Sequence, residues 1–230
     1  VPPRARRVTA APDRLRQRQP KVMLRILFVC HGHPGLVPGG TEFVAHDLFR
    51  YLRADPRAEC MFLGCVSPLH RPQRPAQVFQ TIGRGGDEML MWVGAFDRFM
   101  LAHPDVGPIA SGLRELLRSF QLDIVHFHHV QRVGLEALAI VRRTLPNARI
   151  VLTLHDYHAI CVNDGLMTMT ASPAASVGRP CESATPGACH QCHPDISPGR
   201  YATRDLYIRG LIQYVDSFIA PSRFIRDRFV

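Results

Sequence analysis

The sequence predicts a doubly wound α/β domain with a mostly parallel sheet, and three observations carry that prediction. Short apolar runs bounded by turn residues alternate with stretches of helical period, the pattern of a sheet with helices on both faces. The runs are nearly continuous in apolar residues, as LRILFVC at 24–30 illustrates, which suits strands covered on both sides. No internal repeat breaks the order.

Taken along the chain, residues 24–30 form the first predicted strand and 31–40 a glycine- and proline-rich loop. A helix follows over 41–53, with Val44, Leu48 and Leu52 at i, i+4, i+8 as its apolar stripe and Glu42, His46 and Arg50 as its polar one. Residues 59–64 read as a second strand and 77–82 as a weaker third. The segments 87–102 and 109–120 read as helices, 123–128 as a strand, 131–144 as a helix and 149–155 as a strand. An irregular insertion occupies 156–199, before a helix at 200–214, a strand at 216–220 and a helix beginning at Ser222.

The 230 residues carry a formal charge of +9, which invites a nucleic-acid reading until it is located. Residues 1–21 hold seven basic side chains against Asp13, a net +6, which leaves +3 for the rest. A proline-containing basic segment without apolar periodicity reads as a disordered tail over 1–22. The nearly neutral body argues against nucleic acid as a partner. No apolar run reaches the roughly 20 residues of a membrane-spanning helix, and seven cysteines, an odd number, do not suit a secreted disulfide scaffold.

Ligands of such sheets bind beyond the carboxyl ends of the strands, and three predicted strand ends are chemically rich. The first runs into Cys30-His31-Gly32-His33 and the turn Gly39-Gly40-Thr41-Glu42, the next into His126-Phe127-His128-His129, another into His155-Asp156-Tyr157-His158. Seven of the twelve histidines thus gather at one edge. Paired glycines before a helix allow close backbone approach to a ligand, and the first helical N–H groups favour phosphate or sugar oxygens. A plain turn with Thr41 as N-cap is the simpler reading. The dinucleotide fingerprint G-x-G-x-x-G is missing after the first strand, which argues against a nicotinamide or flavin enzyme.

Taken together, PGGTE at 38–42, DIVHFHH at 123–129, VLTLHDYHAIC at 151–161 and VDSFIAPSRFIRDRF at 215–229 resemble the N-terminal half of family 4 glycosyltransferases. These are retaining enzymes of the two-domain GT-B fold, built from Rossmann-like units and using nucleotide-activated sugars. The resemblance implies that Gly39 and Gly40, with Thr41 and Glu42, lie against donor phosphates and acceptor. It implies that His126 and His128 reach the transferred sugar, that His155 and Asp156 line the acceptor cleft with Asp156 in a catalytic role, and that Ser222 leads toward an interdomain linker. No cofactor is implied for catalysis. The sequence stops at Val230, where the donor-binding domain of such enzymes begins, so the expectation is an acceptor-side half, inactive alone and needing that domain in cis or in trans. A nucleotide-sugar donor, a saccharide or lipid-linked acceptor, polysaccharide assembly and a cytoplasmic location, with peripheral contact at the inner membrane face, follow from the resemblance alone.

Cys161, Cys181, Cys189 and Cys192 fall in the irregular insertion with 19, 7 and 2 residues between them. The C-x-x-C pair fits tetrahedral metal geometry, and a structural Zn²⁺ would order a long loop. His158, His190 and His193 are spare ligands, and reduced thiols or a redox-dependent disulfide are the alternatives. Residues 89–101, apolar almost all round, are expected to be a buried helix, the alternative being a face for lipid. Two other functions compete: a metallohydrolase with a metal on His126, His128 and His155, and a zinc-organised binding module using the basic tail.

Overall fold

The computed structural model describes residues 23–72, 77–83, 85–169 and 179–229; the basic tail at 1–22 and Val230 lie outside them. In chain order the elements are β1 (Leu24–Cys30), α1 (Gly40–Arg53), β2 (Ala58–Val66), β3 (Phe79–Ile82), β4 (Glu88–Trp92), α2 (Gly107–Phe120), β5 (Ile124–Phe127), α3 (Glu136–Thr144), β6 (Arg149–Thr153), β7 (Thr168–Met169), β8 (Arg179–Pro180), α4 (Pro186–Cys192), α5 (Pro198–Ile212), β9 (Ser217–Ile219) and α6 (Arg223–Phe229). Seven strands form one sheet in the order β3-β4-β2-β1-β5-β6-β9. Every pair in it is parallel except β3 with β4. The doubly wound, mostly parallel fold expected from the alternation is therefore present.

Alternation along the strands builds two cores. Ile26, Phe28, Cys30, Cys60 and Phe62 face one side and pack on Ala45 and Phe49 of α1. Leu27, Val29, Met61, Leu63, Val125 and Phe127 face the other and pack against α2, α3 and Ile208 of α5. Phe28, Phe49 and Phe62 are fully buried, each contributing about 1.5–3 kcal/mol by area alone. Phe49 meets Phe28 and Phe62 at ring separations of 6.2 and 5.7 Å.

Four elements differ from their predicted form. Residues 87–102 are not a helix: MLMWV runs through β4, buried on both faces. An apolar run this short does not distinguish a central strand from a buried helix. Its second half is a turn, where Asp97 Oδ1 accepts the N–H groups of Phe99 and Met100 and so competes with helix. Met89 to Val93 and Leu101 are buried, whereas Phe96, Phe99 and Met100 are half-buried. In α1 the buried face is Glu42, Ala45 and Phe49 rather than the stripe through Val44, which is 54% exposed. α3 starts at Glu136, not at 131, because Arg132 and Gly134 hold left-handed backbone at φ 61° and 86°. The insertion also has structure of its own: β7 pairs antiparallel with β8, and α4 carries a Thr185 cap whose hydroxyl accepts the N–H of Ala188.

Candidate active site

β1 lies between β2 and β5, and the chain leaves it first toward β2 and later returns to β5 and β6 on the other side. Such a switch of direction opens a crevice beyond the carboxyl ends of the two central strands. His31 and Gly32 follow β1 there, and His126, His128 and His129 end or follow β5. Because His126 stands in register with Phe28, strand alternation sends His126 and His128 to the α1 side while Val125 and Phe127 enter the opposite core.

The first group is a chain of neutral rings. His126 Nε2 lies 2.8 Å from Thr153 Oγ1, and its ring sits 4.2 Å from that of His128. His128 Nδ1 lies 3.1 Å from His155 Nε2, so one of these rings donates and the other accepts. Burial, with His155 adding to it, pushes His126 down to about 4. Burial and the two neighbouring imidazoles push His128 down to about 3. His155 is lowered for the same first reason. The Nε2 of His128 is buried and has no hydrogen-bond partner among the described residues. An unpaired polar atom in such a place costs about 1–3 kcal/mol, and the His128 side chain that carries it is almost wholly buried.

The second group is built on carboxylates. Gln131 N–H donates to His129 Nδ1 at 2.8 Å, which leaves Nε2–H to donate to Asp156 Oδ2 at 2.6 Å. The His158 N–H donates to Asp156 Oδ1 at 2.9 Å, with the His158 Nδ1 3.0 Å from the same oxygen but off hydrogen-bond alignment. Burial raises the Asp156 carboxyl, but His129 and His158 outweigh it and hold it far below the usual carboxylate range. The His31 ring lies tilted, 4.5 Å from that of His129, and places Nε2 2.9 Å from Glu42 Oε1. Burial raises Glu42 as well, and His31 brings it net below its ordinary value. A cavity of about 20 Å³ is lined by His129, Thr153, His155, Asp156, His158 and Phe229. A groove of about 600 Å³ shares Ala159 and Phe229 with it and adds Arg204, Asp205, Arg209 and Arg228.

The remaining predicted residues divide. At Gly39 an added Cβ would run into the Glu42 carboxylate, and at Gly32 it would come within 2.5 Å of the same group; the two glycines leave room for a buried acid. Gly40 opens onto free space. Thr41 is not the cap, since α1 begins at Gly40 with Gly39 in that place. Ser222 caps α6, its Oγ accepting Ile225 N–H at 3.2 Å, and lines a neighbouring cavity with Leu154, Phe218, Arg226 and Phe229. Cys161, Cys181, Cys189 and Cys192 line one small cavity beneath α4.

Several participants carried too little signal to be chosen from sequence. His33 and His46 both reach Glu88 Oε2, at 2.9 and 3.0 Å. Nothing in the stretch GDEML marks Glu88, and His46 belongs to the polar stripe of the helix. Among the described residues, three sets of ligand-capable atoms lie within 4.8 Å of one another: Cys30–His31–Glu42, His33–His46–Glu88 and His129–Asp156–His158. His126, His128 and His155 do not form such a set, so the ligand arrangement expected of a metallohydrolase is not assembled. Burial pushes the Cys30 thiol up to about 12, which removes it as a nucleophile.

Fold and site together define a doubly wound α/β domain with an imidazole-lined crevice at its switch point. The family described as Glycosyltransferase Family 4 matches residues 38–230, and the chain belongs to that family. No curated protein matches the sequence. A similar solved structure is the Bordetella bronchiseptica enzyme WbmG in complex with NAD, at 9% identity and a TM-score of 0.35. That match covers 90% of this chain and 54% of the other, so the chain spans about half the length of that protein. No helix among the described residues is long and apolar enough to cross a membrane.

Proposed function

We propose that this domain forms the acceptor-side wall of a retaining glycosyltransferase, with the strand-end imidazoles at the transferred sugar. Family membership gives the reaction class, and the observation that carries the site is the buried, unpartnered Nε2 of His128 beside His126 and His155. Sugar transfer needs the donor held, an oxocarbenium-like charge tolerated and the departing phosphate stabilised, work done mainly by positioned hydrogen bonds. Neutral imidazoles suit it because they donate or accept without adding a positive charge beside the developing cation. Asp156, held ionised by two histidines, is a weak base; its role is to orient His129 and accept an acceptor hydroxyl. The groove bordered by Arg204, Asp205, Arg209, Asp227 and Arg228 has room for a saccharide. The donor nucleotide belongs on a second α/β unit, in cis or in trans, facing the Gly39–Gly40 turn.

The test is a sugar-transfer assay with this domain joined to such a unit, over a panel of nucleotide sugars. His128→Asn should lower kcat about 10²–10³-fold while the fold is retained. Products of inverted anomeric configuration, or full activity in His128→Asn, would overturn the reading.

A further inference from the structure

The four cysteines of the insertion come from three separate stretches of chain, and the fold brings all four to one place. Cys161 ends the turn that follows Asp156, its N–H donating to the Tyr157 carbonyl at 2.7 Å. Cys181 follows β8, its N–H donating to the Met167 carbonyl at 2.7 Å. Cys189 and Cys192 lie one helical turn apart on α4. All four line a cavity of about 20 Å³ together with His193, a volume suited to a single ion or water. The buried Nε2 of His193 has no hydrogen-bond partner among the described residues.

The surroundings are arranged for negative charge. Arg204 of α5 is 4% exposed, and its guanidinium donates to the carbonyls of Phe99, Ala159 and His158 rather than to a carboxylate. A buried cation needs compensating charge nearby, and Arg204 lines the same groove as Cys189. Arg228 of α6 donates to the carbonyls of Cys181 and Glu182. Four thiolates around a divalent ion carry a net double negative charge, which a buried cation beside them offsets.

We infer that Cys161, Cys181, Cys189 and Cys192 form a structural Zn²⁺ site that fastens α4 and the β7–β8 pair to the base of the crevice, with Arg204 and Arg228 as its charge complement. Binding exchanges four thiol protons for the ion, with no change of oxidation state. In a closed tetrahedral site the sulfurs stand about 3.8 Å apart. Here no three of the four lie within 4.8 Å of one another, so loading draws α4 and the Cys161 turn together. This site is independent of the glycosyl-transfer reading.

The experiment uses the full chain purified without added metal, with metal content measured by mass spectrometry and Co²⁺ substitution followed by absorption. The expected result is one zinc per chain, and on replacement by Co²⁺ the intense sulfur-to-metal charge-transfer bands of a tetrahedral thiolate centre. Cys189→Ser should abolish that stoichiometric zinc, and so should Cys161→Ser, which changes a different chain segment. Should either variant fail to fold, the wild-type Co²⁺ spectrum decides alone. A folded wild-type chain without zinc, a Co²⁺ spectrum lacking thiolate bands, or a disulfide among these cysteines in freshly isolated protein would each overturn the site. So would zinc that survives in both variants and disappears in His129→Ala, which would place it on the His129–Asp156–His158 set.

Discussion

Gly39 and Gly40 are adjacent, yet they answer different demands. A methyl group at Gly39 meets the buried Glu42 carboxylate, which is held in place by His31. Gly39→Ala should therefore destabilise the fold by on the order of 1–3 kcal/mol, read as a lower denaturant midpoint. A methyl at Gly40 meets nothing within 4 Å, and Gly40→Ala should be neutral or stabilising by about 0.4–1 kcal/mol. If substrate backs onto this turn as proposed, Gly40→Ala raises KM without loss of stability; an unchanged KM would remove the turn from the binding surface. The sequence made the glycines visible, but the residue that needs Gly39 was hidden. Glu42 stands both in the helix's polar stripe and in the PGGTE motif, and only the packed helix reveals it as a buried acid against Gly39.

Elements were legible where one periodicity had no rival. β1, β2, β5, β6 and α2 fall within a few residues of their predicted bounds, because apolar runs between turn residues and a 3.6-residue stripe have few other uses. β4 differs from its predicted form since residues 89–93 are apolar on every side, and the choice between strand and helix is made by β2 and β3 rather than locally. The histidine cluster was legible as a group, whereas its division into rings facing Phe28 and rings facing Asp156 depends on register. The edge strand β9 shows how much a single long-range contact can matter. Arg142 of α3 donates to the Tyr214 carbonyl at 3.0 Å and to Asp216 Oδ2 at 2.6 Å, and that oxygen accepts the Ile150 N–H at 2.7 Å. Arg142→Ala should cost about 1–3 kcal/mol and raise hydrogen exchange selectively in β9 and α6. Uniform exchange across the sheet would argue against such a local clamp.

At the scale of the whole molecule, the buried imidazoles make stability depend on acidity. His126 and His128 titrate near 4 and 3 in the native state against about 6.5 when unfolded. Between these values the unfolded chain takes up protons that the native state refuses, so stability falls as pH falls. Each group contributes up to about 1.4 kcal/mol per pH unit, over the window from about 6.5 down to its native value. Asp156 acts in the same direction below about 4, because its carboxylate is favoured by folding. Denaturant unfolding at neutral pH and near pH 5 should show this decline, and His128→Asn should make it shallower; a flat profile would mean that water reaches the rings freely.

Arg204 links regions that the chain itself keeps far apart. One guanidinium holds the carbonyl of Phe99, from the turn after β4, and those of His158 and Ala159, from the segment that also supplies Asp156. It thereby acts as a common rivet for the crevice floor, the loop beside it and α5. Movement of α5 therefore has a direct mechanical route to the segment whose acid steadies His129.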